Sequence, residues 1–407
     1  MGEKNNQKTK RKLGNVFYIG LLSFFGGISQ DMFAPIFPLY LSLVLGFEKS
    51  LIGIAEGLVT AGASIFKIVA GFLTDKFGKR KPFIFLGYLF SLIARPLLAL
   101  FNSLGFVFAL RFLDGMGKGM KDSPKDALIS DSTVFETRGK GFGVARALDT
   151  LGSVIGPLVL FGLLEIFSQN SQKYHLIFYL SALPLLITLL VLKFGVKEIK
   201  ASEKENIIKD QKQDNLKEKF LPRKFYIFLA IMLLFGLGNS SDAFLILRAS
   251  NVGVSVLAIP LVYALFNFIY ASFSIPLGGL SDKIGREKVI MLGWFAYTIS
   301  YLGFALAYKA YQIWIIFAFY GIYYATTEGV AKAFVADMVP SQKRGRAFGI
   351  YNTSLGLISL PSSFIAGWLW DKIGPQAPFF FGSFIAFLAL IVFLIFYFLQ
   401  LKNLDKN

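Results

Sequence analysis

The chain has 407 residues, is 55% hydrophobic and only 16% charged, and carries a formal net charge of +17. A soluble protein of this length is about 45–50% apolar and about 25% charged, so the composition excludes an ordinary water-soluble domain. Cysteine is absent, which excludes disulfides, thiolate catalysis and cysteine metal sites.

The apolar residues fall in runs of about twenty, the length that crosses a bilayer core. A basic tail with Lys4, Lys8, Lys10, Arg11 and Lys12 leads into a first predicted span over 16–45. That span holds Asp31 and is bent by Pro35 and Pro38, which cannot complete helical hydrogen bonds. Its length, its aspartate and its lack of a small-residue cleavage site argue against a signal peptide. Spans over 51–73, 82–101, 104–120, 142–167 and 175–196 follow. The polar stretch 197–224 is rich in Lys, Glu, Asp, Asn and Gln. It cannot bury a core and reads as a linker with room for a short amphipathic surface helix. Six more spans are predicted over 225–247, 254–280, 289–307, 311–335, 345–370 and 379–401. The expected fold is an all-α membrane protein of about twelve transmembrane helices. Its organisation is an N-terminal six-helix bundle (1–196), a cytoplasmic linker (197–224) and a C-terminal six-helix bundle (225–407).

Lysines and arginines set the expected orientation. Every second loop is basic: Lys76, Lys79 and Lys81; Arg138 and Lys140; the stretch 193–224; Lys283, Arg286 and Lys288; Lys343, Arg344 and Arg346. The alternate loops hold little more than Lys49, Lys173, Lys309 and Lys372. Both termini are therefore expected in the cytoplasm of a cell with this protein in its inner (plasma) membrane. The positive charge is explained by topology and by anionic lipid. The basic residues are scattered over loops without stacking aromatics, so no nucleic-acid partner is expected. The single histidine, His175, stands at a helix end and reads as a surface residue.

The two halves look duplicated. Gly71-Phe-Leu-Thr-Asp75-Lys76-Phe-Gly78-Lys79 parallels Gly278-Gly-Leu-Ser-Asp282-Lys283-Ile-Gly285-Arg286. Asp131, Arg138 and Gly139 parallel Asp337, Arg344 and Gly345, and Asp31 parallels Asp242. The offset stays near 206–211 positions throughout. Parallel repeats with a substrate site near the bilayer midplane are a known transporter architecture.

These residues also carry a family resemblance. Gly71, Asp75, Lys76, Gly78, Lys79 and Arg80 resemble the signature loop between the second and third helices of major facilitator transporters, and Gly278–Arg286 is its weaker copy. In that family the loop latches one side of the carrier. The resemblance implies one partner set of Asp75, Arg80 and Asp131 and a second of Asp282, Arg286 and Asp337. In physical terms Gly71 allows close helix packing and Gly78 a tight turn, while the basic residues alone would also serve topology. Arg111, Gly115, Gly117 and Gly119 resemble a fourth-helix motif whose arginine is linked to proton transfer. Gly152-Ser-Val-Ile-Gly156-Pro157 resembles the fifth-helix antiporter motif, but Leu160 and Phe161 stand where two small residues usually follow. A Gly-x-x-x-Gly pair also has a plain reading as helix packing. The strings around Glu56, Arg95, Lys125 and Glu328 resemble a bacterial and archaeal group of these transporters without an assigned substrate.

Charges inside a membrane are costly and usually paired or functional. Arg111, Asp114, Lys118, Asp122 and Lys125 recur every three or four residues, which places them on one helix face. Arg146 and Asp149 share a face of the next helix. If the two helices pack as antiparallel neighbours, Asp122 faces Arg146 and Lys118 faces Asp149. Such pairs would fix register, whereas Arg111 and Asp114 would remain for substrate or proton work. Asp31 and Asp242 would bind a cation or carry a proton, or else cap broken helices. Glu56, Arg95 and Glu328 complete the candidates, with Lys332 as the internal partner of Glu328 and Lys67 snorkelling from its helix end.

No phosphate-binding G-x-x-x-x-G-K-[ST] loop is present, and no Ser/His/Asp set or metal cluster suggests an enzyme. The expected function is secondary active transport of a small molecule by alternating access, coupled to protons, with efflux favoured over uptake. Mixed interior charges would also suit uptake or uniport of a polar or zwitterionic solute, or of an organic anion at Arg95 or Arg111. A lipid-handling protein and a non-transporting receptor are the weaker readings. A monomer without cofactor or metal is expected, working in a lipid bilayer.

Overall fold

The computed structural model describes residues 2–133, 138–199, 221–340 and 343–404, without the side chains of residues 2–13, 75, 138–140 and 400–404. The amphipathic helix expected in the linker lies largely outside the described residues. So do the side chains of Asp75 and Arg138.

The helices are α1 (Gly2–Phe33), α2 (Phe37–Leu39), α3 (Lys49–Phe77), α4 (Lys81–Leu100), α5 (Leu104–Asp131), α6 (Arg138–Ile166) and α7 (Lys173–Phe194) in the first half. The second half holds α8 (Arg223–Gly238), α9 (Ala243–Asn251), α10 (Ile259–Ile284), α11 (Arg286–Leu306), α12 (Ala310–Met338), α13 (Arg344–Lys372) and α14 (Ala377–Leu404). Among the described residues, nine stretches are long and apolar enough to cross a membrane. Three further helices, α5, α12 and α13, have spanning length, at 28, 29 and 29 residues. They carry the interior charges, tyrosines and serines that lower their hydropathy.

Two spans are interrupted. After α1 the chain turns at Ala34–Ile36 and resumes as α2 and a π-helical turn, Tyr40–Val44, where Pro35 and Pro38 disfavour continuous helix. The run 225–247, expected as one helix, breaks between α8 and α9. Asn239, Ser240, Ser241 and Asp242 follow Gly238 there, and such side chains compete for backbone hydrogen bonds. Neighbouring hydroxyls satisfy the opened backbone: Ser362 Oγ donates to Leu237 O, Tyr297 OH donates to Gly238 O, and Ser241 N–H donates to Ser363 Oγ. An irregular segment at membrane depth needs such partners.

The chain divides into two compact units, Met1–Ala34 with Gly62–Lys219, and Pro35–Ala61 with Phe220–Asn407. The expected first bundle, 1–196, is thus split by contacts, because residues 35–61 pack with the second unit. Glycines make this possible. A Cβ on Gly57 of α3 would lie 2.7 Å from Leu360 Cα of α13, and Gly53 and Gly367 are equally crowded by the opposite backbone. Asp371 at the end of α13 accepts the N–H groups of Lys49 and Ser50 at 3.0 and 2.8 Å. It thereby satisfies donors that the start of α3 would otherwise leave open.

The two units repeat one packing scheme. In the first, α1 packs on α6 and α7, and α4 packs on α5 and α7. In the second, α8 packs on α13 and α14, and α11 packs on α12 and α14. Each is therefore built on the same helix pairings, as the sequence repeat implies. The core of the first unit gathers Ile19, Leu22, Ile84, Tyr88, Leu128 and Leu185. That of the second is aromatic: Phe235 stacks on Trp294 at 4.7 Å and Tyr297 on Tyr301 at 4.1 Å.

Candidate functional site

The first unit buries a cluster of charges contributed by α1, α4 and α5. Arg95 and Asp114 are each 1% exposed, and Arg111 is 3% exposed. Each oxygen of Asp114 meets one guanidinium, Arg95 at 3.9 Å and Arg111 at 3.5 Å. Both guanidinium carbons lie over the Phe33 ring, at 5.4 and 5.5 Å, a cation–π geometry that is strengthened by desolvation. Arg95 also donates to Ser29 Oγ and, at 3.0 Å, to Gln30 Oε1. Asp31, buried on α1, is hydrogen-bonded to Ser153 of α6 and lies within electrostatic reach of Lys118, Arg95 and Asp149. Asp31 and Arg95 therefore join Arg111, Asp114 and Lys118, expected on one helix face from sequence, in one constellation.

Charges of α5 and α6 lie within electrostatic reach of one another, Lys125 with Asp149. Arg146 pairs with Asp149, one turn along its own helix, at 3.3 Å, and the pair is largely exposed. Lys118 is felt by Asp31 and Asp114, and Lys125 by Asp149. Along its length α6 lies chiefly against α1. Gly156 allows it: a Cβ there would sit 2.7 Å from Ile28 O, and Gly152 is still more tightly opposed by Phe24 O. The Gly152–Gly156 pair is thus a helix-packing device.

The second unit carries a different constellation. Asp242, in the break before α9, accepts hydrogen bonds from Tyr320 OH at 2.7 Å and Tyr324 OH at 3.1 Å. Tyr270 OH donates to Glu328, whose other oxygen receives Lys332 Nζ at 3.3 Å. Glu56 of α3 lies within electrostatic range of Asp242. Tyr320, Tyr324 and Glu328 follow a spacing of four along α12, so they share one face. That spacing was the available sequence signal for the tyrosines, hidden among 17 tyrosines in the chain.

At the loop ends, the partner sets come together where side chains are described. Arg80 Nε is 3.8 Å from Asp131. Arg286 pairs across the turn with Asp282 at 2.5 Å and with Asp337 at 3.3 Å, and it donates to Ser281 Oγ at 2.6 Å. Gly78 and Gly285 adopt φ of 64° and 102°, a region that L side chains rarely enter. A Cβ on Gly71 would stand 3.2 Å from Ser123 Oγ, whereas Gly278 has open space.

Besides the tyrosines, three residues at helix ends escaped the sequence reading. Glu198 caps α4 by accepting the N–H groups of Arg80 and Lys81, each at 2.8 Å. Asp371 caps α3 in the same way. Arg248 of α9, 3% exposed, donates to the carbonyls of Phe304, Ala305 and Ala307 at 2.8–3.2 Å and to Asn251 Oδ1 at 2.6 Å. Each acts on backbone groups at a helix end, and no side-chain pattern announces such a partner.

Interrupted spans, paired interior charges and duplicated helix bundles define a polytopic membrane transporter, not an enzyme. The chain belongs to the Major Facilitator Superfamily, which it matches over residues 19–250 and 227–406. It is 38% identical over 398 residues to an uncharacterized MFS-type transporter of Methanocaldococcus jannaschii, covering 96% of this chain and 97% of the relative. It is 23% identical over 360 residues to the multidrug resistance protein MdtH of Yersinia enterocolitica, covering 85% of each. A D-xylose-proton symporter shares the fold, with a TM-score of 0.74 at 17% identity over 94% of this chain and 96% of that one.

Proposed function

We propose that this transporter is a secondary carrier that exports a small molecule by alternating access at the expense of a proton gradient. The carrying observation is the buried constellation around Asp31. A carboxylate inside a span, hydrogen-bonded to the neutral Ser153 and within reach of Lys118 and Arg95, has two ways to meet its charge. It can take a proton, or it can lean on the cations. A carboxylate with two such states is suited to coupling, since protonation would release Lys118 and Arg95 to other partners. Export is supported by likeness to a relative named a multidrug resistance protein.

The two loop sets complete the reading. Gly71, Asp75, Gly78, Arg80 and Asp131 form one latch, and Gly278, Asp282, Gly285, Arg286 and Asp337 the other. Both are proposed to stand on the cytoplasmic side, with both termini, in the plasma membrane, and the monomer is the working unit. Arg95, Arg111, Asp114, Lys118, Arg146, Asp149, Glu56, Asp242 and Glu328 serve substrate or coupling.

One observation favours a second reading, import of an organic anion: Arg95 and Arg111 are buried side by side around Asp114. Proteoliposomes containing the full chain, with an imposed pH gradient and a panel of drug-like cations and organic anions, decide between the two. Export predicts compound-dependent dissipation of the gradient in the efflux direction, lost in Asp31→Asn. Dissipation only when anions enter selects import. Movement that ignores the gradient removes proton coupling, and a panel that does not move at all removes the carrier reading.

A further inference from the structure

Asp242 occupies the N-cap position of α9, where an aspartate ordinarily accepts a backbone N–H, yet its side chain makes no capping bond. The carboxylate is turned instead to the hydroxyls of Tyr320 and Tyr324. Among the described residues it has no basic partner, and the other charge acting on it is the like charge of Glu56. This differs from Glu328, which has Lys332, and from Asp114, which has two arginines. An ionised carboxylate inside a span without a cation is an unbalanced charge.

The surroundings state what would balance it. Tyr324 meets Phe266 at 5.1 Å and 82°, Tyr320 at 5.3 Å and 71°, and Tyr270 at 5.7 Å and 69°. Rings set nearly at right angles form walls whose π faces attract cations. Tyr320 and Phe266 are buried, as are Tyr297 and Tyr301, whereas Asp242, Tyr270 and Tyr324 are half-buried, so the accessible side of the cage is the one formed by Tyr270 and Tyr324. Each carboxylate oxygen offers two acceptor positions, and one phenol on each leaves others open. A hard metal ion wants about six oxygen ligands, and no group of three or more acidic or histidine side chains is placed to hold one among the described residues. An organic ammonium instead needs one carboxylate and several rings.

We propose that the second unit binds an organic ammonium group at Asp242, walled by Tyr270, Tyr320, Tyr324 and Phe266. This names a substrate class for the carrier reading above and rests on it, whichever way the substrate travels.

The test is binding, without a gradient, of radiolabelled choline to the purified full chain in detergent, read by scintillation proximity. The competitor is 3,3-dimethylbutan-1-ol, which replaces the charged nitrogen by carbon. Choline should bind, and the alcohol should compete roughly ten-fold less well than unlabelled choline. Asp242→Asn should weaken choline binding by roughly ten-fold or more, and Tyr324→Leu by roughly five-fold, while Tyr324→Phe, which keeps the π face, should stay within roughly two-fold. Should Asp242→Asn fail to remain folded, the Tyr324 pair decides. Absence of choline binding overturns the proposal. So does equal competition by the alcohol, undiminished binding in Asp242→Asn, or equal losses in Tyr324→Phe and Tyr324→Leu. Loss of proton coupling with choline binding intact in Asp242→Asn would make Asp242 a proton carrier, and that too overturns it. Gradient-driven transport in proteoliposomes is read separately, so a failed cage with working transport leaves the carrier reading standing.

Discussion

Asp114 and Asp242 are interior carboxylates of the two halves, and they are held in contrasting ways. Asp114 is shared by the buried Arg95 and Arg111, while Asp242 is held by the phenols of Tyr320 and Tyr324. The helix pairings around them are nevertheless the same in both halves. Helix pairing depends on small residues and apolar faces along whole spans, whereas interior chemistry depends on a few side chains. A duplicated scaffold can therefore keep its packing while its two interiors diverge.

The largest expected effect tests this contrast directly. Asp114→Ala leaves two buried guanidiniums without their carboxylate and should cost about 3–5 kcal/mol. Asp242→Ala removes an acceptor from two neutral donors and should cost about 1–3 kcal/mol. Mixed-micelle unfolding of the purified variants measures both, and equal losses would show that the interiors are not distinct in kind.

The next effect concerns packing. Gly156→Ala forces a methyl toward Ile28 O and should cost about 1–3 kcal/mol as overpacking. Gly349, on α13 of the second half, has nothing within 4 Å of such a methyl, so Gly349→Ala should be neutral or stabilise by up to about 1 kcal/mol. The melting temperature in detergent should fall for Gly156→Ala and hold or rise for Gly349→Ala. A fall for both would break the idea that the α1–α6 seam is the tighter one.

Smaller still is the cap at the first loop. Glu198→Ala frees the N–H groups of Arg80 and Lys81 and should cost about 1 kcal/mol, with faster amide exchange confined to the start of α4. Smallest is Arg286→Ala in the second loop, where Asp282 and Asp337 are more than half exposed. It should change stability by less than about 1 kcal/mol and reveal itself in transport rate instead. A stability loss larger than that of Glu198→Ala would mean that the second loop is the more structural of the two.

Much of this was readable in advance, for particular reasons. Hydrophobic runs gave the spans, and Gly78 and Gly285 were placed because a turn after Asp-Lys-x-Gly needs positive φ. The pairs Arg80–Asp131 and Arg286–Asp337 were grouped because the resemblance to the signature loop implies such partner sets. That α6 lies chiefly along α1 was not legible, because adjacency in sequence does not say which helices Gly152 and Gly156 bring together. The break before Asp242 was missed because four polar residues inside an apolar run read as a mild interruption. Their hydrogen bonds to Tyr297, Ser362 and Ser363 come from distant helices.

The sequence by itself determined the membrane class, the approximate places of the spans, the duplication and the list of interior charges, because hydropathy and repeat are local properties of a chain. Only the tertiary structure decided which charges meet, that residues 35–61 pack with the second unit, and that Asp242 faces tyrosines while Asp114 faces arginines. Those outcomes depend on close approach between helices far apart in sequence, which a glycine permits but does not name.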